Sequence, residues 1–197
     1  MLAKPAMKLK VTVGAVLAYC LLTGFRLPST TFSETLYLQG EAAYKANKAR
    51  IKNPVMCLVD FSLPSHKKRL FLFDMKSGKL LLNTWVSHGR GSGRGALART
   101  FSNEPESYCS SLGSFLAKER FNGKHGKSLR LEGLNEGLND NAEARGIIFH
   151  TADYVNALNA KVNKRQGNSQ GCFVVDAANL ERVIGLLENG GYVYASR

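Results

Sequence analysis

The chain is poor in several residue types, and each shortage narrows what the protein can be. Its 197 residues include one tryptophan, four cysteines and five prolines. Acidic residues number 15 against 27 lysines and arginines, so the formal net charge is +12. No apolar run reaches the ~20 residues of a membrane-spanning helix, and no repeat period or low-complexity segment is visible. These shortages exclude collagen-like, solenoid and acidic disordered proteins.

The composition is that of a folded protein, with 44% hydrophobic and 21% charged residues. A chain of this length accommodates one domain with a substantial core, and we predict one domain plus an N-terminal extension. The excess of basic residues favours anionic partners. Nucleic acid is not an expected partner, because no module that combines stacking aromatics with basic residues is present.

The first 26 residues have the pattern of an export signal. Three lysines precede the uncharged run "VTVGAVLAYCLLTGF", in the order of the n-region and h-region of a signal peptide. We predict a signal peptide over residues 1–26, with an N-terminal membrane anchor as the alternative. Lipidation at Cys20 is disfavoured, because Tyr19 stands where a lipoprotein box has a small residue. Export to the periplasm or cell envelope directs the basic surface toward cell-wall or membrane polymers.

The remaining chain changes pattern near residue 53. Residues 27–52 are polar and alanine-rich, and Ser33 is placed to cap a helix that runs toward Arg50. We interpret this segment as a helical lead-in or linker. Over residues 53–197, short apolar runs alternate with turn signals, which is typical of strands. The strand-like runs are "VMCLVDF", "RLFLFDM", "KLLLNTWVS", "SFLAK", "SLRLEG", "GIIFH", "CFVV" and "GYVYA".

Two helices are predicted among the strands. Asp176 is placed to cap one near the C-terminus, where four apolar residues recur at helical spacing before Gly190. A weaker helical pattern runs from Ala152 to Val162. The predicted fold class is therefore mainly β, a sandwich or partly closed barrel with a few helices, including one near the C-terminus.

Three cysteines follow the export signal: Cys57, Cys109 and Cys172. In an oxidising compartment two of them can pair while the third stays free. If Cys172 is a working thiol, Cys57 and Cys109 are the candidate disulfide.

Cys172 follows the loop "GNSQG" and begins the run "CFVV". A cysteine beside such a run is ordinarily a buried small hydrophobe. A thiol attacks only as thiolate, which requires a nearby base or positive charge. His150 ends the strand "GIIFH", so two strands would present a Cys and a His on a rigid sheet. Gly171 permits a sharp turn and lets its amide approach a developing oxyanion.

The motifs "HTADYV" at 150–155 and "SQGC" at 169–172 resemble the His and S-x-G-C motifs of the L,D-transpeptidase catalytic domain (YkuD-like) family. Longer stretches resemble its murein L,D-transpeptidase branch: "VDFSLPSHKKRLFLFDM", "HGRGSG", "FSNEPES", "SSLGSF", "GKHGKSLRLEGLNEGLND" and "ARGIIFHTADYV". The resemblance covers residues 53–197 and implies a catalytic domain that remodels peptidoglycan. It implies no metal and no other cofactor.

The resemblance also implies roles for the site residues. Cys172 is the nucleophile that attacks the carbonyl between meso-diaminopimelate and D-alanine of a tetrapeptide stem, and its thioester passes to an amine acceptor. His150 is the general base, oriented by the backbone carbonyl of Thr151. The amides of Gly171 and Cys172 form the oxyanion site, and Ser169 shapes the loop. Alternatives are a hydrolytic L,D-carboxypeptidase or amidase of the same fold, and a catalytically weak protein that binds cell-wall peptides.

The expected partner is the stem peptide of peptidoglycan. The residues implied for substrate binding are His125, His88, Ser111, Asn168 and Arg165. For the two histidines the alternative is a structural role, in which each braces a turn between strands.

The sequence departs from the murein branch at three positions. Relatives have Gly where Thr151 follows the histidine, Arg where Asn168 precedes the serine, and Pro where Phe173 follows the cysteine. An arginine at the position of Asn168 can bind a stem carboxylate or stabilise the thiolate. Arg165 is the candidate to take over that role in this chain. These departures bear on substrate choice and turnover more than on the fold.

Overall fold

Helices and strands form throughout residues 32–197, the part of the chain that the structure, a computed structural model, describes. The signal peptide or anchor predicted for residues 1–26 and the alternative lipidation at Cys20 lie outside these residues. The helices are α1 (Glu34–Ala46), α2 (Ala157–Val162) and α3 (Ala177–Leu187). The strands are β1 (Val55–Asp60), β2 (Leu70–Asp74), β3 (Lys79–Thr84), β4 (His88–Gly89), β5 (Gly113–Gly123), β6 (Gly126–Gly133), β7 (Ile148–Thr151), β8 (Asn168–Ser169), β9 (Phe173–Val175) and β10 (Tyr192–Ser196).

Eight of these strands form one mixed sheet in the order β3-β2-β1-β10-β5-β6-β7-β9, and β4 pairs with β8 in a small second sheet. In the large sheet β1 runs parallel to β10 and β7 parallel to β9, whereas the other neighbours are antiparallel. The two edges of this sheet meet where Val86, just beyond β3, forms an antiparallel bridge with Val175 of β9. This bridge curls the sheet toward a barrel. The predicted mainly β class is confirmed.

Strand alternation sends one set of side chains into a single apolar core. Cys57 and Val59 enter it from β1, and Phe149 and Phe173 enter it from β7 and β9. Helix α3 covers the core with the four apolar residues predicted for its inner face: Leu180, Val183, Ile184 and Leu187. Each fully buried side chain of this size contributes about 1.5–3 kcal/mol, so the core holds β7 and β9 firmly in place.

Helix α1 covers the other face of β1. Ser33 caps it as predicted, with Oγ accepting a hydrogen bond from the amide three residues later at 3.3 Å. Gly40 lies where the helix approaches the sheet, because a Cβ there would lie 2.3 Å from Cδ2 of Leu58. From Phe32 on, the segment predicted as a lead-in belongs to the same compact unit as the strands, Phe32–Arg197.

The other predicted helices form with shifted ends. The C-terminal helix starts after Asp176 as predicted. The Asp176 carboxylate accepts a hydrogen bond from the Thr84 hydroxyl, and no backbone amide of the helix donates to it. The helix predicted from residue 152 begins later, because the side chain of Asn156 accepts a hydrogen bond from the amide of Asn159 at 2.7 Å and caps it there. Within residues 32–197, none of the helices combines the length and hydropathy required to cross a bilayer.

The candidate disulfide between Cys57 and Cys109 is absent, since both are free cysteines in the structure. Cys57 lies in the middle of β1 and points into the core, where burial raises the pKa of its thiol far above the ordinary range. Cys109 lies in the segment before β5, with its sulfur against Gly91. Cys57 belongs to the core cluster and Cys109 does not, and the count of cysteines in the sequence does not reveal this difference.

Candidate active site

Cys172 stands at the start of β9, on the sheet face opposite the core. Phe149 of β7 is in register with Phe173 of β9, and both side chains enter the core. Because side chains alternate along a strand, His150 and Cys172 project from the other face. Neighbouring strands lie about 4.8 Å apart. The fold therefore places the predicted pair on one face of two adjacent strands, with His150 in register with Val174, two residues beyond Cys172.

The Cys172 thiol is half-buried among backbone groups. It donates a long hydrogen bond to the carbonyl of Gly146 at 3.4 Å, while the amides of Ile148 and of Cys172 itself are directed at the sulfur. Burial raises the pKa of the thiol above its ordinary value. These amides and the positive charges of Lys124 and Arg145 favour the thiolate and offset part of that rise. The resting group is the neutral thiol, which needs a base to become a nucleophile.

His150 is 3% exposed and is held in one tautomer. Its Nδ1 lies 2.9 Å from the carbonyl oxygen of Thr151. A carbonyl only accepts, so Nδ1 carries the proton and Nε2 keeps a lone pair. Burial, followed by the charges of His125 and Lys124, lowers the pKa of His150 below its ordinary value. The imidazole is therefore neutral at pH 7, the form required of a general base.

His125 lies directly over His150. It belongs to the turn of the β5–β6 hairpin and is itself exposed. The two rings stack with centroids 4.2 Å apart and planes at 18°. Of the five residues predicted to bind substrate, His125 is the one that the structure brings against the candidate base.

Ser169 shapes the loop that leads into Cys172. Its hydroxyl donates to the carbonyl of Cys172 at 2.8 Å and accepts from the amide of Gly171 at 3.1 Å. Gly171 has φ +119°, and a Cβ there would lie 2.7 Å from the carbonyl oxygen of Cys109, so the position requires glycine. The Gly171 amide thus donates its hydrogen bond within the loop. The amides directed at the sulfur are those of Ile148 and Cys172.

Arg145 anchors the segment that borders the thiol, and sequence reasoning missed it. Its guanidinium donates to the carbonyl oxygens and hydroxyls of this segment at 2.6–3.2 Å: Ser102, Ser107, Cys109 and Ser111. Its positive charge acts on Cys172. Arg145 is the second residue of the motif "ARGIIFH" and Lys124 directly precedes His125, so both lie in motifs whose histidines were already singled out.

His88 occupies the turn-bracing position that was its alternative role. It is fully buried, with Nδ1 2.9 Å from Nη2 of Arg69 and Nε2 2.8 Å from the carbonyl oxygen of Gly93. Both ring nitrogens are therefore occupied within the protein. Burial, with the Arg69 charge, lowers the pKa of His88 to about 4, which keeps the ring neutral.

The three other predicted substrate-binding residues also make internal contacts. The Asn168 side-chain amide donates to the carbonyl of Gly93 at 3.1 Å. Arg165 is exposed and donates to the carbonyl of Arg94 at 2.6 Å. Ser111 is fully buried beneath the guanidinium that anchors its segment. Lys124 and the anchoring guanidinium, and not Arg165, are the cations whose charges act on the thiol.

The other two departures from the murein branch also have structural partners. The Thr151 hydroxyl donates to the carbonyl of Val175 at 3.1 Å and adds a side-chain bond between β7 and β9. Phe173 lies at the centre of an aromatic cluster and anchors β9 directly after Cys172. Its ring partners, with centroids 5.2–6.1 Å away, are Phe61, Phe115 and Phe149.

Tyr154 borders the same site. Its ring packs on Gly167, where a Cβ would lie 2.6 Å from the Cβ of Tyr154. Burial, followed by the charge of Cys172, raises the pKa of the hydroxyl to about 12. The hydroxyl therefore keeps its proton and is able to donate a hydrogen bond.

The assembled groups are a thiol, a neutral imidazole, inward-directed backbone amides and two cations. This set suits nucleophilic acyl transfer, in which the thiol attacks a carbonyl carbon and the amides stabilise the oxyanion. Within residues 32–197, no group of three or more His, Cys, Asp or Glu side chains is arranged to hold a metal ion.

Comparison with protein families identifies the class to which this fold and site belong. Residues 29–196 match the family model of the L,D-transpeptidase catalytic domain. The chain belongs to the L,D-transpeptidase catalytic domain family. Comparison with curated protein sequences found no match.

Several solved structures resemble the chain. An L,D-transpeptidase from Mycobacterium smegmatis is 14% identical, with 73% of this chain and 59% of that chain covered and a TM-score of 0.44. The helical cell shape determining protein Pgp2 from Campylobacter jejuni is 12% identical, with 75% and 49% covered and a TM-score of 0.45. An L,D-transpeptidase from Xylanimonas cellulosilytica is 16% identical, with 92% and 78% covered and a TM-score of 0.41. The chain thus spans about half to three fifths of the first two proteins.

Proposed function

We propose that the protein is a peptidoglycan-modifying cysteine L,D-transpeptidase with Cys172 as nucleophile and His150 as general base. The observation that carries the proposal is the hydrogen bond between Nδ1 of His150 and the carbonyl of Thr151, at 2.9 Å. It leaves Nε2 as the proton acceptor, on the strand beside the thiol. A buried cysteine with a purely structural role has no need of a neutral, tautomer-locked imidazole on the adjacent strand.

The reaction has two acyl-transfer steps. His150 takes the thiol proton through Nε2 as the sulfur of Cys172 attacks the carbonyl carbon of the L,D peptide bond. The tetrahedral intermediate collapses to a thioester, and the leaving amine of D-alanine takes the proton from His150. The amine of an acceptor stem then attacks the thioester, gives one proton to His150 and forms the cross-link, and that proton returns to the sulfur.

Backbone amides and two cations support the charged states of this reaction. The amides of Ile148 and Cys172 are directed at the sulfur, and an oxyanion that forms on the attacked carbonyl lies within their reach. Arg145 and Lys124 stabilise the thiolate that burial alone disfavours. Tyr154, with its proton retained, supplies a further hydrogen-bond donor at the rim.

The substrate fits the charge of the protein. Peptide stems of peptidoglycan carry free carboxylates, and the chain has a formal net charge of +12. The export signal predicted for residues 1–26 places the enzyme in the periplasm or cell envelope, with the N-terminal segment as the route to membrane attachment. His125 and Lys124 are exposed at the hairpin turn, and His125 stacks on His150, so both are accessible to a stem that approaches the base.

Product analysis with a defined disaccharide tetrapeptide tests the reaction. We expect cross-linked dimers together with free D-alanine. Tripeptide monomers and D-alanine without dimers would replace the transferase by a hydrolytic L,D-carboxypeptidase. An unconsumed substrate that still binds would replace the enzyme by a cell-wall peptide-binding protein.

Acylation tests the nucleophile independently of the acceptor. Imipenem is the ligand of a solved relative, LdtMt1, and intact mass spectrometry detects its adduct. We expect one adduct on the wild type and none on Cys172→Ala, with His150→Gln acylated much more slowly. An adduct that persists in Cys172→Ala would remove this cysteine from the role of nucleophile.

A further inference from the structure

The turn of the β5–β6 hairpin carries two residues, Lys124 and His125, beyond the edge of the core. The strand pairing continues outward until Gly123 faces Gly126, which has φ +74° and accommodates the tight turn. Both turn residues are exposed. The hairpin therefore extends as an arm, and the position of its tip depends on what holds the arm.

The arm is bent and is tied to helix α3. The register of β5 and β6 shifts between Ala117 and Arg120, and such an irregularity bends the strands. Beyond it, Arg120 donates hydrogen bonds to both carboxylate oxygens of Glu188, and Nζ of Lys127 lies 2.6 Å from the Glu181 carboxylate. Each strand of the arm is thus joined by an ion pair to α3 or to the residue that ends it. Helix α3 in turn packs on β7.

At the tip, the ring of His125 closes over His150. The ring centroids are 4.2 Å apart and the rings are nearly parallel. His150 is buried, with 3% of its surface exposed, whereas His125 is exposed to solvent. The hydrogen bond from Nδ1 to Thr151 fixes one edge of the lower ring. A single hydrogen bond leaves a ring free to tilt about its own axis, and a second ring stacked on its face prevents that tilt.

We propose that His125 is a positioning residue that holds the imidazole of His150 in the orientation in which Nε2 faces Cys172. This inference rests on the proposed function, which makes His150 the base. The ring of His125 acts through its flat face, and its own ionisation is not required. The positive charge of Lys124, the neighbouring residue of the turn, also disfavours protonation of His150.

The variants His125→Phe and His125→Ala separate this role from substrate binding. Phenylalanine keeps a stacking ring and removes the hydrogen-bonding nitrogens, whereas alanine removes both. We expect His125→Ala to lose about 10-fold to 100-fold in kcat with little change in KM, and His125→Phe to retain most of the wild-type kcat. Equal losses in both variants, or a rise in KM alone, would overturn the positioning role. Asn122→Ala, an exposed change on the same arm, is the matched control.

Two measurements without peptidoglycan separate this inference from the proposed function. Nitrogen NMR of the histidines should show one Nδ1–H tautomer for His150 in the wild type and in His125→Phe, and a tautomer mixture in His125→Ala. The rate at which iodoacetamide alkylates Cys172 at neutral pH should fall in the same order. If His150→Gln slows alkylation and His125→Ala does not, the positioning role alone fails. If neither variant slows alkylation, the base assignment of the proposed function fails as well.

Discussion

Arg69 donates a hydrogen bond to Nδ1 of His88, at a nitrogen–nitrogen distance of 2.9 Å inside the protein. Because a guanidinium only donates, Nδ1 of the imidazole is unprotonated and the ring proton resides on Nε2, which donates to Gly93. Protonation of Nδ1 would set two positive charges against each other. This contact braces β4, which pairs with β8 in the loop that leads to the nucleophile.

His88 should therefore make the fold sensitive to acid. Its pKa is about 4 in the folded protein and about 6.5 when unfolded, so the unfolded state binds the proton first. Stability is fully present above pH 6.5 and falls as the pH drops toward 4, by about 3 kcal/mol from this group. Urea unfolding at several pH values measures the loss. His88→Gln preserves a donor and an acceptor without titrating, and an equally steep loss in that variant would contradict this origin.

Gly171→Ala should disrupt the nucleophile loop. The residue has φ +119°, and the new Cβ would lie 2.7 Å from the backbone oxygen of Cys109. We expect a loss of about 2 kcal/mol or more in the free energy of unfolding, together with loss of imipenem acylation. Gly95→Ala is the control, because nothing lies within 4 Å of its Cβ position. Equal stability of the two variants in urea would show that the loop relaxes around the methyl group.

Cys172 should titrate above an ordinary cysteine, and Lys124 should modulate it. Burial raises the pKa of this thiol and the Lys124 charge opposes the rise. The midpoint of the alkylation profile is expected above pH 8.5. Lys124→Met should slow alkylation at pH 7.5 by roughly 2-fold to 5-fold, and 1 M salt should reduce the effect. Lys67→Met, an exposed change outside the site, should leave the rate unaltered, and a similar slowing there would indicate a nonspecific effect of net charge.

Gly40→Ala and Gly185→Ala should change stability in opposite directions, although both replace a helical glycine. A Cβ at Gly40 would lie 2.3 Å from Leu58, which is fully buried, and we expect a loss of about 1–3 kcal/mol. A Cβ at Gly185 meets nothing within 4 Å, so the gain in helix propensity of about 0.5–1 kcal/mol should appear. Thermal and urea unfolding measure both. A stabilising Gly40→Ala would mean that α1 is not docked on the sheet.

Much of the fold could be predicted because its signals are local. Runs such as "RLFLFDM" and "GIIFH" are short, apolar and bounded by turn residues, and they became β2 and β7. Ser33 and the apolar spacing after Asp176 similarly marked the two longer helices. Hydrogen bonding within a helix and alternation along a strand involve residues near one another in the chain. The residues of each element therefore carry the pattern that predicts it.

The candidate site was predictable only in its principal pair. Cys172 and His150 stood at the ends of two recognisable strands, and the pairing of β7 with β9 made them neighbours. The hydrogen bond from the Gly171 amide to the Ser169 hydroxyl could not be predicted from the sequence. A hydroxyl rotates toward whichever partner the folded loop provides. The sequence does not distinguish Arg145 from other arginines. Its role follows from the folded segment before β5, whose polar groups accept hydrogen bonds from its guanidinium.

The amino-acid pattern alone established a mainly β domain in which two strands carry a thiol and an imidazole at their ends, since those properties follow from short-range periodicity and residue chemistry. The packed molecule decided that Val86 and Val175 close the sheet, that Cys57 and Cys109 stay unpaired, and that His125 covers His150. Each of these joins segments that are distant in the chain. Such contacts form only when the whole core sets the distance and orientation between them, and no local pattern records that geometry.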